Sequence, residues 1–385
     1  MMPKNQKNLK SSIKNITKKH HFDLCYFTKP IISQHLQKKY DTWVEQGMHA
    51  EMDYMSESQR MHLRKNPQEM LSDVKTVICL GMFHSPPLQS LSDGLAKHTH
   101  GVIASYAQGD DYHEVMKKRL KAVAAELDGL LGQHAQRVYV DTAPVLERPL
   151  AQQAGMGWQG KHGLTIHWKK GSYLMLAEIF TSADLEIDEA VDEHCGSCQR
   201  CLNVCPTSAI VAPYVVDARL CISYLSIEHK GMIPHALRSS FGNRIFGCDD
   251  CQQVCPWNRL AHTPNEDILK PRLENDMPEL SMLMHLDEVK FREFFRKSPV
   301  KRLKRKGLLR NVAIAMGNSK DHLFINVLMD ALRDEEPLIR AHAAWALYQI
   351  QPIEAALLLA QHLKNEKNAD VVLDIEYTLG ESNHD

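Results

Sequence analysis

The run CGSCQRCLNVCP, Cys195 to Pro206, constrains this chain more than any other stretch of comparable length. Its spacing, C-x2-C-x2-C-x3-C-P, is the one that two-cluster iron–sulfur proteins use, with the fourth thiolate crossing to the other cluster. A shorter run, Cys248, Cys251 and Cys255, follows and again ends in Cys-Pro. By the crossing rule Cys195, Cys198, Cys201 and Cys255 form one 4Fe–4S set. Cys205, Cys248 and Cys251 begin the second, and Cys221 is the nearby cysteine left to complete it. Zinc also takes C-x2-C pairs, but in two pairs of two. A disulfide framework would require export, which nothing in the sequence indicates. The two remaining thiols, Cys25 in DLCYF and Cys79 in VICLG, read as small buried hydrophobes.

A chain of 385 residues, 44% hydrophobic and 24% charged, has the composition of an ordinary globular protein of two or three domains. No apolar run reaches the length needed to span a bilayer, so no membrane partner is expected. The N-terminus is rich in lysine (Lys4, Lys7, Lys10, Lys14, Lys18, Lys19), and no apolar block follows it. It does not read as a signal peptide, and a cytoplasmic location is expected. The net charge of −1 hides an uneven distribution: KRLKRKGLLR, Lys301 to Arg310, holds six basic residues and no acid. Such a block is either a solvated face or a footprint for phosphate.

Residues 1–185 read as a mixed α/β domain. VKTVICLGMF (Val74–Phe83), RVYVDTAP (Arg137–Pro144) and SYLMLAEIFT (Ser172–Thr181) are expected strands, and Asp110–His134 is an expected helix. Residues 186–265 are the cysteine region, and 266–300 form a linker and helical connection. From 301 to 385 the pattern is helical throughout. LLRNVAIAMGN and LIRAHAAWALY align at an offset of thirty, Arg310 on Arg340 and Ala313 on Ala343, with VVLDIEYTLG as a weaker third copy. Repeats of that size stack as a HEAT-like solenoid.

A pair of clusters relays electrons, but a relay alone has no use for a first domain with dense polar motifs of its own. YVDTAPVLERPLAQQAGMGWQGKHGLTI places Asp141 at a strand end, followed by four glycines. SYAQGDDYHEVM puts Tyr106 and the segment Asp110–His113 at a helix start, and Arg64 precedes a turn. Together with YVDTAPVLER, GWQGKHGL, CGSCQRCLNVCPTSAI, CISYLSIEHKGMIP and FGNRIFGCDDCQQVCPWN, these segments make the chain resemble the epoxyqueuosine reductases over nearly its whole length.

The resemblance implies a cobalamin domain related to that of the reductive dehalogenases and nitroreductases, a ferredoxin-like domain with two 4Fe–4S clusters, and a HEAT-like tail. It implies an oxidoreductase that makes queuosine at the wobble position of a tRNA anticodon stem-loop, with Asp141 as proton donor. It also implies a monomer served by an external electron donor. Arg64, Tyr106, Asp141, Gly160, Lys161, Thr165, Ser223 and Tyr224 are the residues expected at the cobalamin. Lys230, Lys301, Arg302, Lys304 and Arg305 are those expected at the tRNA. The departure from the family pattern is Ser226, where threonine is expected. Two readings compete: a reductive dehalogenase acting on a small organohalide, and a non-enzymatic electron-transfer or tRNA-binding adaptor.

Overall fold

The strand Thr76–Phe83 is buried along its whole length, so both of its faces need cover. It lies inside a four-stranded antiparallel sheet ordered Leu24–Thr28, Thr76–Phe83, Leu174–Thr181, Gln136–Tyr139. Helices Lys4–Lys19 and Tyr112–Leu131 cover one face, and helix Glu147–Gln153 covers the other. This computed structural model describes residues 4–132, 134–261 and 270–380.

The strand Leu24–Thr28 escaped the sequence reading, which took DLCYF only as an apolar setting for a thiol. Cys25 packs with the first helical layer and Cys79 with the second. Burial raises both thiols, Cys25 to about 12, as expected of inert core residues. The Lys-rich start is a helix, and part of its charge is used internally. Lys10 pairs with Asp188 at 2.6 Å, Lys19 with Glu126 at 2.8 Å, and Lys14 sits over the rings of Tyr26 and Phe27.

In helix Tyr112–Leu131, Met116, Leu120, Val123 and Leu127 recur at helical spacing and are fully buried. Asp111 caps it by accepting the His113 amide, and Gly132, at φ 75°, ends it.

The cysteine region is fastened to the first domain by backbone. Strand Arg244–Phe246 pairs in parallel with Val102–Ile103, and the Asp249 carboxylate accepts the Ser105 amide at 2.6 Å. Residues 262–265 at the end of the expected cysteine region and 266–269 of the expected linker lie outside the described residues. From Leu273 onward the connection is helical, through Leu273–Asp276, Leu280–Met284 and Glu288–Phe294.

In the tail, Lys304–Ser319, Pro337–Ile350 and Ala369–Gly380 stack side by side, with Ile325–Ala331 and Pro352–Leu363 between them. The central pair packs closely because the residues that meet there are small: a Cβ on Gly317 would lie 2.8 Å from Ala346 Cα. The repeat alignment holds for the core, where Ala313 and Ala343 are both fully buried, but not for its arginines. Arg340 binds Glu366 within the tail. Arg310 leaves it, donating to the carbonyls of Leu225, His229 and Gly231. The first repeat therefore docks on the cysteine region as well as on the second repeat. Among the described residues no helix is long and apolar enough to cross a membrane.

Candidate active site and iron–sulfur centres

Two short helices, Arg200–Val204 and Asp250–Gln253, pack against each other and bring the two cysteine runs together. Cys195, Cys198, Cys201 and Cys255 line one cavity of about 90 Å³. The other four thiols are electrostatic neighbours: Cys205 acts on Cys221, Cys221 on Cys251, and Cys251 on Cys248, each adding to the upward push of burial. Cys251 also feels Cys201, so the two sets adjoin. Among the described residues no three His, Cys, Asp or Glu side chains converge as ligands of one metal ion. A cubane, in which each thiolate binds a separate iron, asks for a wider spacing.

The first cavity is finished for a cluster. Trp158 and Trp257 meet edge-on at 4.8 Å beside it. His162 lines it, and its Nδ1 accepts the Leu164 amide at 3.2 Å, which leaves the proton on Nε2. That Nε2 is buried without a protein partner, as is Trp158 Nε1. Cluster sulfides accept such N–H groups. Burial, with Arg148 nearby, lowers His162 to about 4 and keeps it neutral.

Gly160 and Lys161 serve this cavity. A Cβ on Gly160 would sit 2.8 Å from His162 Cε1, and buried Lys161 clamps the cysteine loop by donating to the carbonyls of Gly196 and Cys198. Thr165, expected at the cobalamin with them, is buried in the same short sheet, Trp158–Gln159 with Thr165–Ile166.

A large cleft, of about 1430 Å³, has Ile227 and Phe246 in its lining. Ile227, six residues after Cys221, and Phe246, two residues before Cys248, line it together with Tyr106, so the second set lies close behind this wall. Cys221 opens helix Ile222–Ile227, which carries Ser223 and Tyr224. Tyr224 Oη accepts the Glu51 amide at 3.0 Å. Ser226 Oγ accepts the Gly247 amide at 2.9 Å and donates to the Ser223 carbonyl at 3.3 Å, work that any hydroxyl in this position performs. Arg64 is buried away from the cleft lining and donates to the Tyr54 carbonyl at 2.6 Å. Replacing Cys221 by alanine is expected to lower iron from about eight toward about four per chain, leaving the electron paramagnetic resonance of the first cluster intact. Unchanged iron content in that variant would remove Cys221 from the second set.

Val140 and Thr142, on either side of Asp141, line this cleft, as does its partner His113. The Thr142 amide turns back to the Val140 carbonyl at 2.5 Å, which forces Asp141 to φ 50°. Left-handed backbone is costly outside glycine, though Asp and Asn bear it best. Glu147 holds the turn by accepting the Asp141 amide at 2.7 Å. Burial first, then the Asp141 charge, raises Glu147 to about 7, and burial with Glu147 alongside pushes its neighbour Glu178 well above the carboxylate range.

The Asp141 carboxylate meets His113 Nε2 at 2.8 Å, and His113 Nδ1 meets Asp111 at 2.8 Å. Each ring nitrogen faces a carboxylate, so both carry protons and the ring is an imidazolium. Burial lowers His113, but its bonds to Asp111 and then Asp141 outweigh that and raise it to about 9. Burial raises Asp141, but His113 and Tyr112 outweigh it and hold the carboxylate below its ordinary value. The sequence reading missed His113 and Glu147 as parts of this site. The former was marked only as lying at a helix start.

The outer rim of the cleft is basic. Lys117, Lys118 and Lys121 line it from the long helix, and Arg296, Lys297, Lys301 and Arg302 from the connection. Of the residues expected at tRNA, Lys301 and Lys304 are exposed. Arg302 is half-exposed and pairs with Glu228. Arg305 is a strut, bidentate on Asp334 and bonded to the Leu286 carbonyl. Lys230 caps the helix that precedes it, Ile222–Ile227, by donating to the Ile227 carbonyl at 2.9 Å.

These features have relatives. A family model described as "Epoxyqueuosine reductase QueG, DUF1730" matches residues 64–142, one for a 4Fe–4S double cluster binding domain matches 194–258, and one for HEAT repeats matches 303–380. An epoxyqueuosine reductase of Escherichia coli is 39% identical over 341 residues, 87% of this chain and 88% of that protein. One from Pseudomonas aeruginosa is 42% identical over 315 residues, 81% and 86% of the two chains. This chain belongs to the epoxyqueuosine reductases. It is an oxidoreductase with two 4Fe–4S centres. A crystal structure of an epoxyqueuosine reductase with an epoxyqueuosine-modified tRNA-Tyr stem loop superposes with TM-score 0.89 at 28% identity, covering 97% of this chain and 98% of that one. The Streptococcus thermophilus epoxyqueuosine reductase superposes with TM-score 0.87 at 29% identity, covering 98% and 100%. The architecture implied by the family resemblance, an α/β domain, a double-cluster domain and a HEAT tail, is therefore the one present.

Proposed function

We propose that this chain reduces epoxyqueuosine to queuosine at the wobble position of a tRNA anticodon loop, with cobalamin in the large cleft and Asp141 as the proton donor. The observation that carries the reading is the Asp111–His113–Asp141 chain of charges, of which Asp111 and His113 line a cleft that also takes in Phe246, two residues before Cys248. Removing an epoxide oxygen to leave an alkene consumes two electrons and two protons and releases water.

The cleft exceeds the roughly 300–1,000 Å³ of pockets for drug-sized ligands, which leaves room for a macrocycle beside a nucleobase. Tyr106, Ile227 and Phe246 offer it an aromatic and apolar floor, and Val138–Ala143 one edge. Cobalamin, when bound there, supplies a reduced cobalt that carries electrons to the epoxide carbon.

The protein's own part is the proton. At neutral pH it rests on His113, between two carboxylates. Asp141, a carboxylate at rest, draws that proton from His113 Nε2 and gives it to the oxygen as the ring C–O bond opens; solvent then reprotonates His113, which supplies the second proton by the same route. A base from a single-stranded loop can be splayed into such a cleft, and the basic rim lies where flanking phosphates would run. The test is nucleoside analysis of epoxyqueuosine-containing tRNA incubated with the protein, cobalamin and dithionite. Queuosine is the expected product, and intact epoxyqueuosine would overturn the reading.

For the tRNA, the exposed cations at the start of the tail are the ones to change. Neutralising Lys301, Arg302 and Lys304 together is expected to reduce the slope of log K against log salt by about one unit for each phosphate that the rim no longer neutralises. Cluster content should hold. An unaltered slope would move the tRNA to another face.

A further inference from the structure

A second groove, of about 760 Å³, shares no lining residue with the cleft. Pro87, Leu88, Arg200, Asn203 and Arg259 are among its walls, and Cys255 and Pro256 are at its floor. It shares Arg200, Cys255 and Pro256 with the cavity of the first cluster, so one layer of residues separates that cluster from the groove. The second set, by contrast, lies next in sequence to the lining of the active cleft, through Phe246, two residues before Cys248, and Ile227, on the helix that Cys221 opens. The two clusters therefore have different neighbours, and the relay has a direction.

The chemistry of the groove fits a protein partner. Arg200 and Arg259 are both exposed, and the lining includes no Asp or Glu. Beside them stand two apolar side chains that are large and half in solvent, Leu88 at 55% and Leu260 at 50% exposure. Cations around a small apolar patch at the edge of a redox centre suit a brief encounter with an acidic carrier, and such redox encounters bury less than about 1,200 Å².

We propose that this groove docks a small acidic one-electron carrier protein of the flavodoxin kind, which reduces the first cluster across Cys255. The inference rests on the reading of the chain as a reductase fed from outside. In each visit the carrier's flavin hydroquinone is oxidised to the semiquinone and the first cluster gains one electron. That electron passes to the second cluster, and two visits supply the pair that the epoxide consumes.

The experiment follows the visible bleaching of the clusters in a stopped-flow mixing of the cluster-loaded, full-length protein with a photoreduced flavodoxin, without tRNA. Arg200→Glu with Arg259→Glu is expected to slow flavodoxin-driven bleaching at low salt by about tenfold or more and to flatten its salt dependence. Bleaching by dithionite, which needs no docking, should keep its rate. Unchanged flavodoxin kinetics and salt dependence would overturn the proposal. If the double variant loses dithionite bleaching as well, the loop at Cys201 has been damaged, and Arg259→Glu alone decides: slowed flavodoxin bleaching supports the groove, and an unchanged rate rejects it. Conversion of epoxyqueuosine with dithionite as reductant is scored separately. A chain that fails there but bleaches with flavodoxin through Arg200 and Arg259 retains the docking site and loses the substrate assignment.

Discussion

Replacing Asp141 by asparagine is expected to slow conversion of epoxyqueuosine by about a hundred- to ten-thousand-fold, the usual cost of losing a general acid. The variant isolates the proton from the architecture. Asparagine tolerates the φ of 50° that the turn imposes, and the bond from the residue 141 amide to Glu147 is made by backbone. Iron content and cofactor binding should therefore be unchanged. The histidine should change. His113 loses one of the two carboxylates that raise it to about 9, so its titration, followed by NMR, moves down toward the ordinary histidine range.

In the parent protein the raised pKa of His113 has a sign that can be checked. Its contribution to stability is complete below about 6.5, the unfolded value, and is lost as pH rises through about 9. Turnover carried by the His113–Asp141 relay should fall over the same alkaline limb, and the asparagine variant should lose that limb. Near-normal turnover by Asp141→Asn would remove Asp141 from the mechanism.

Much of this site was legible because its parts are local. Thiolates that bind one cluster must sit at fixed spacing, so the four-cysteine run announces itself, and the crossing rule extends it to Cys255. Asp141 is marked by a strand that stops at a turn. His113 was not legible as a partner, because its bond to Asp141 spans 28 residues and depends on how the long helix lies across the sheet. Glu178 was hidden in the same way, as an acid in a strand that otherwise reads as continuous core.

The basic stretch shows the opposite failure. Six cations in a row look equivalent in sequence, yet the fold gives them different work. Arg305 braces Asp334 and Arg310 is buried under the cysteine region, while Lys301 and Lys304 stay in solvent. Glycine motifs are ambiguous in sequence for a related reason. Gly160 is expected at the cobalamin, and the space beside its Cα is filled by Ile166 and the His162 ring.

Asp374→Ala is expected to destabilise the docked tail by about 3–5 kcal/mol, the loss seen when one partner of a buried ion pair is removed. Asp374 lies on the last described helix, and its carboxylate accepts two bonds from Arg238 and one from His235, both in the cysteine region. Arg238 is fully buried, with its guanidinium 5.6 Å from the Trp345 ring centroid. Without Asp374 that charge keeps its bond to the Ile233 carbonyl and its place over the ring, but no anion. Truncating both partners to apolar residues, Arg238→Met with Asp374→Leu, should recover most of the loss, because no charge is then left to desolvate. Burial raises Asp374, but His235 and Arg238 outweigh it and lower it to about 2. The pair's contribution is thus full above the unfolded carboxylate value of about 3.9 and lost as pH falls toward about 2. Urea unfolding of the three proteins at neutral pH provides the comparison. A single variant as stable as the parent would show that the tail is held to the cysteine region by its apolar faces and the Arg310 bonds instead of by this pair.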